Sequence, residues 1–233
     1  VLRNRLGPVG LLQELLQRFS ECAERGLRLA IEGASVQSGR PPAWVEKSLD
    51  FTFTGLSRGS TVLALEAPTL GDTIGEELQQ QDLWVLRPLP QDTAVSLIAK
   101  SVRDTTAENL ESDYYDGGVL RSLLGFKSFL RSHANRIELH AEGRPEEDFT
   151  LGMPQMEQAE RLRERTPEPQ AFVVSGHLDS IQHSRKQFQL ALSDGQVIPG
   201  RVDERFLPAE SLREFWGKRV SVKGTVHFRP SGR

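Results

Sequence analysis

The stretch QFQLALSDGQVIPGRV, residues Gln187 to Val202, decides how the C-terminal part of this chain reads. Phe188, Leu190 and Leu192 alternate with Gln187, Gln189 and Ala191, the period of a strand with one buried face. Asp194-Gly195 interrupts the alternation and QVIPGRVD resumes it. Asp-Gly between two alternating runs signals a two-residue hairpin, because glycine reaches the positive φ that such turns require. Upstream, AFVVSGHLDSI is another strand, with Gly176 in its interior where a bulge or sharp bend is expected. The polar turn QHSRK joins it to Gln187. Downstream, LPAESLREFWGK supplies a short helix, whose Leu212, Phe215 and Trp216 are placed to plug a barrel end. RVSVKGTVHFR is a last strand with Val220, Val222 and Val226 apolar.

The order strand, strand, strand, helix, strand resembles the OB-fold, a Greek-key barrel of five strands with its helix between the third and fourth. The resemblance is carried by that order, by Val174-Ser175-Gly176, by the Asp-Gly hairpin and by Gly217-Lys218 at the corner entering the fourth strand. It covers residues 171–233, and an SH3-like barrel is the alternative. It implies a fifth strand after the turn RPSGR, and an open edge suited to strand addition by a partner wherever that strand is not supplied. It also implies contact with nucleic acid, which OB-folds often hold through a basic groove and stacked aromatics. The basic residues are Arg185, Lys186, Arg201, Arg205, Lys218, Arg219, Lys223, Arg229 and Arg233. The candidate exposed platforms are Phe172, His177, His183, His227 and Phe228, with Phe188 assigned to the core.

TPEPQ, residues 166–170, marks a boundary, since two prolines in five residues end a helix and stiffen the joint. Charge changes there as well. Residues 1–170 hold 19 Lys and Arg against 26 Asp and Glu, a net of −7. Residues 171–233 hold 10 against 6, a net of +4. The whole chain carries only −3, which argues against an overall polyanion-binding protein and against an acidic tail. The expected domains are therefore 1–165, a linker over 166–170, and a barrel over 171–233.

The N-terminal domain mixes helices and strands. Leu12, Leu15, Leu16, Phe19, Cys22 and Ala23 recur at helical spacing, predicting a helix from about Pro8 to Arg25 with Gly26 as its C-terminal stop. RLAIEGA follows as a candidate strand. LDFTFTGLSRGSTVLALEAP reads as a hairpin. Its GLSRGS turn lacks the lysine of a phosphate loop and leads into a strand, so it is not read as one. Asp72 to Gln81 is helical, DLWVLRPLP a short strand, and Asp92 the cap of the helix DTAVSLIAKSVRD. VLRSLLGFKSFLRS is a helix, ANRIELHAEG and DFTLG a strand pair, and PQMEQAERLRER a polar helix. The fold class is α+β, a mixed domain followed by a small barrel.

Chemistry is sparse. Cys22, the single cysteine, lies on an apolar stripe and reads as core, and no multi-cysteine metal site exists. His177, Asp179 and His183 flank one turn and read as surface polar residues. His140 falls on a solvated strand face beside Glu138 and Glu142. Glu66, Asp113 and Asp116 lie on separate elements and read as solvated loop acids rather than a metal cluster. No nucleophile elbow, HExxH or kinase set occurs. Tyr114-Tyr115, between acids and glycines, suits a recognition loop for a protein partner.

These residues predict a non-enzymatic binding or adaptor protein without cofactor or metal. Its basic barrel contacts DNA, RNA or a protein through Arg185, Lys186, Arg201, Arg205, Lys218, Arg219, Lys223 and Arg229. The alternatives are a structural subunit of a larger complex, or a metal-dependent enzyme acting on nucleic acid. The N-terminal apolar run is broken by Gln13 and Glu14, so no signal peptide is expected. With no long apolar window and one cysteine, the expectation is no membrane and a cytoplasmic location.

Overall fold

The computed structural model describes residues 8–36, 40–57, 62–79, 88–182, 187–202 and 206–232. Helices and antiparallel sheets are both present, an α+β arrangement. The chain divides into two compact units: residues 1–168 with 227–233, and residues 169–226. In sequence the second unit thus interrupts the first, whose chain resumes after Val226.

The first unit begins with α1 (Pro8–Glu32), which runs straight through the stop expected at Gly26. The segment expected as a strand is its last two turns. Leu27 and Ile31 explain the extension, because they continue the stripe of Ala23 and are buried against α2 (Ala43–Ser48), α3 (Leu70–Gln79) and α4 (Ala94–Thr106). Gly26 serves close packing instead: a Cβ there would stand 3.5 Å from Leu97 Cβ on α4. The helix ends at Gly33, whose φ of +78° and N–H bond to the Leu29 carbonyl form the left-handed cap.

Cys22 and Ala23 belong to the larger core, formed with α4, α5 (Gly117–Leu124), α6 (Phe126–Ser132), β4 (Phe149–Gly152) and α7 (Met153–Arg165). The expected hairpin forms from β1 (Thr52–Ser57) and β2 (Val62–Glu66), and β3 (Arg136–Leu139) pairs with β4. Most of DLWVLRPLP, expected as a strand, lies outside the described residues. α7 is not polar all round, since Met156, Ala159 and Leu162 are buried along one stripe.

Thr93, not Asp92, caps α4 through a reciprocal pair with Ser96. Asp92 instead accepts from the Leu89 N–H and from Lys100 Nζ. Ser96 also donates to buried Glu147 at 2.8 Å, and Arg144 closes on the other oxygen of Glu147 at 3.0 Å. Both charges of the Glu147–Arg144 pair are thereby hydrogen-bonded, which a buried ion pair needs.

The second unit is a four-stranded, curled antiparallel sheet. Its strands are β5 (Gln170–Gln182), β6 (Gln187–Ala191), β7 (Val197–Arg201) and β8 (Arg219–Val226), in the spatial order β7-β6-β5-β8. A fourth strand returning beside the first is the Greek-key order. The turn at Asp194-Gly195 holds three residues rather than two. Gly195 at φ +83° follows a turn closed by its N–H to the Leu192 carbonyl, and the Leu192 N–H bonds the Gln196 carbonyl.

The bulge in β5 falls at Asp179, where the register shifts between Leu178 and Ser180, and not at Gly176. Gly176 is required by close approach, since a Cβ there would meet the Ala191 carbonyl oxygen at 2.8 Å. Gly200 likewise leaves room for the Phe188 ring, which a Cβ would meet at 2.3 Å. Pro199 is tolerated because β7 is an edge strand. Leu178, Phe188, Leu190 and Leu212 form the core, with Val174, Ile181, Val202, Val220 and Val222 packed on them.

Candidate functional site

With Val174, Leu178, Phe188, Leu190, Val220 and Val222 turned to the core, strand alternation sends the neighbouring residues outward. On β5 the outward residues are Val173, Ser175 and His177, all exposed. They pair with Lys223, Ser221 and Arg219 of β8, also exposed. Ser175 and Ser221 join hydroxyl to hydroxyl at 2.7 Å, between the Val173–Lys223 and His177–Arg219 rows. β6 adds Gln187, Gln189 and Ala191, and β7 adds Val197, Pro199 and Arg201. Of the described outward side chains, three are Lys or Arg and one, Asp179 at the bulge, is a carboxylate. Arg219 and Lys223 are four residues apart on one strand face, about 13 Å at a rise of about 3.3 Å per residue.

The expected basic residues divide accordingly. Arg219, Lys223 and Arg201 share the outer face, Arg201 at its far corner. Lys218 is exposed at the corner before β8, where its carbonyl accepts from the Leu178 N–H at 3.0 Å. Arg185, Lys186 and Arg205 lie outside the described residues, as does Arg233. Arg229 belongs to the first unit, not the second. It donates to the Glu111 carbonyl at 2.7 Å and pairs with the Asp113 carboxylate. The second unit therefore carries eight Lys and Arg against six Asp and Glu, a net of +2 rather than the +4 of residues 171–233.

The helix expected over 207–218 is a 3-10 turn, Ala209–Phe215. Leu212 plugs the core, but Phe215 and Trp216 do not, being 42% and 68% exposed. The turn ends at Phe215, and Trp216 follows it in extended backbone at φ −57° and ψ 133°, so no further helical turn carries the indole back over Leu212. Trp216 is held by its indole N–H, which donates to the Asp179 carbonyl at 3.1 Å. Its exposure was not legible in the sequence; the one signal was Gly217 directly after it, which takes φ +69°.

In the first unit the tyrosine pair splits. Tyr115 is buried, donates its hydroxyl to the Asn109 carbonyl, and burial pushes its phenol up to about 12. Tyr114 is half-buried, with Lys100 Nζ 5.6 Å from its ring centroid. Of the pair, Tyr114 is the one left partly open to solvent.

The three loop acids serve separate partners. Asp113 pairs with Arg229, Asp116 caps α5, and Glu66 lines an open polar groove with Lys47 and Thr73. His140 pairs with Asp148 at 3.0 Å, which raises the imidazole and lowers the carboxyl from their ordinary values. Among the described residues no three His, Cys, Asp or Glu side chains converge as a metal site would. Nor is any described helix long and apolar enough to cross a membrane. Compared with known proteins, the chain matches no family model, no curated protein and no solved structure.

Proposed function

We propose that this chain is a non-enzymatic binding or adaptor protein whose second unit is an OB-like module that contacts nucleic acid. The observation that carries the reading is the outer face of the sheet. Arg219, Lys223 and Arg201 project there with His177, and Asp179 is the one described carboxylate beside them. Exposed cations on a sheet face neutralise phosphates and release counterions, which gives affinity that falls steeply with salt. Serine and glutamine side chains between the cations supply further donors to phosphate and sugar. The first unit, with 21 Lys and Arg against 26 Asp and Glu, is acidic and suits a protein partner rather than the same polyanion.

Fluorescence polarisation of the full chain with labelled single-stranded DNA, single-stranded RNA and duplex DNA tests this. Binding at low salt is expected to weaken as salt rises, with a log–log slope of about −2 for three phosphate contacts on a single strand. Arg219→Glu with Lys223→Glu removes most of it. No binding to any of the three at low salt sinks the reading. A protein-docking barrel is the second reading, favoured by Val173 and Phe172, 64% and 44% exposed on β5. Co-purification of a stoichiometric partner lost on Val173→Asp would support it.

A further inference from the structure

We infer that Trp216 is a stacking platform for an unpaired nucleobase, so that the preferred ligand of the second unit is single-stranded rather than duplex nucleic acid. The inference rests on the nucleic-acid reading above and names its ligand class.

An indole 68% exposed forgoes most of the hydrophobic stabilisation that burial would bring. Trp216 is nevertheless held in place. Its Nε1–H donates to the Asp179 carbonyl, and Asp179 is the bulge residue, whose backbone the ladder leaves over. The backbone is pinned at and after the indole. Trp216 N–H bonds the Arg213 carbonyl at 3.4 Å, Gly217 N–H bonds the Leu178 carbonyl at 2.9 Å, and Leu178 N–H bonds the Lys218 carbonyl at 3.0 Å. The ring is thus gripped by one polar edge while its apolar surface meets solvent, and little freedom is left to lose on binding.

The surroundings select the ligand. Lys218 and Arg219 follow at once, both exposed, and His177 lies across the ladder from Arg219. Cations beside an exposed aromatic face are the combination that binds a base and its flanking phosphates. A duplex hides its base faces in its own stack, so an aromatic plane of this kind reaches only an unpaired base. A protein partner would also use an exposed tryptophan as an anchor, but such anchors sit in a desolvated, charge-depleted centre.

The test is polarisation of the full chain with three labelled probes: a thymidine oligonucleotide, an abasic oligonucleotide of equal length and charge, and a duplex. Wild type is expected to bind the thymidine strand about ten-fold more tightly than the abasic strand. Trp216→Ala and Trp216→Leu should erase that preference and leave abasic binding unchanged, while Trp216→Phe keeps most of it. Thermal melts of each variant confirm folding. Abasic and thymidine strands bound equally by wild type, or a preference that survives in Trp216→Ala, would overturn the platform while leaving the phosphate contacts standing. Binding of none of the probes at low salt would overturn both the platform and the reading beneath it.

Discussion

Ser35 and Asp116 lie 81 residues apart in the chain, and the Asp116 carboxylate binds both the hydroxyl and the backbone N–H of Ser35, at 2.5 and 3.0 Å. The same carboxylate accepts from the Gly118 and Val119 N–H groups at 2.9 Å, so it caps α5 and ties it to the loop after α1. Asp116→Ala leaves four donors without their acceptor, next to a fully buried serine. A lost cap costs about 1 kcal/mol and buried unpaired groups about 1–3 kcal/mol more. The expected loss in urea unfolding is therefore about 3 kcal/mol, with Asp116→Asn losing half as much. A loss under about 1 kcal/mol for the alanine variant would contradict this accounting.

Gly26 offers the opposite sign. It sits inside α1 with φ in the ordinary range, and an added Cβ would make only van der Waals contact with Leu97. Gly26→Ala should stabilise the first unit by about 0.5–1 kcal/mol through helix propensity. Gly26→Leu should destabilise it, because the larger group must enter the α1–α4 contact. The paired melts check both signs.

Cys22 is fully buried, and burial pushes its thiol up to about 12, with a hydrogen bond to Ser122 opposing the shift in part. The folded protein should resist iodoacetamide at pH 8 and react only on unfolding, since the thiolate is the nucleophile. The folded value lies above the ordinary 9.0 of the thiol. Its contribution to stability is therefore complete below pH 9 and is lost as pH rises from 9 toward 12. Unfolding midpoints of wild type and Cys22→Ala should converge across that window.

Gly200→Ala drives a methyl group into the Phe188 ring. A unit this small is marginal, and overpacking costs about 1–3 kcal/mol, so the second unit should open before the first. Hydrogen exchange at Leu190 and Ile198, register partners on β6 and β7, reports it. Phe188→Leu in the same chain should recover part of the loss, a coupling that independent sites would not show.

The sequence disclosed most where one face of an element is buried and its period is short. Residues 187–202 alternate because Phe188 and Leu190 are core, and in 62–66 Leu63 and Leu65 alternate with exposed neighbours, so both hairpins were legible. It misled where tertiary contact outweighs a local signal. Gly26 resembles a helix stop, yet Leu27 and Ile31 carry a second core that keeps the helix going. Asp92 and Thr93 are both good caps, and only the position of Lys100 and Glu147 decides between them.

In the candidate site, Arg219 and Lys223 follow from strand parity alone. Arg229 continues the same apparent alternation past Val226, but the chain has left the sheet there and meets Asp113. The exposure of Trp216 depends on the 3-10 turn stopping at Phe215, one residue before it, an end point that composition does not reveal.

Gln170, the first residue of β5, is the register partner of Val226, the last of β8. Partners in an antiparallel pair stand only about 5 Å apart. The second unit therefore starts and finishes at one spot, with its entering and leaving strands side by side. Among the described residues, no member of 169–226 belongs to either core of the first unit, so replacing that span with a short glycine bridge is expected to leave both cores intact, read by thermal unfolding of the shortened chain.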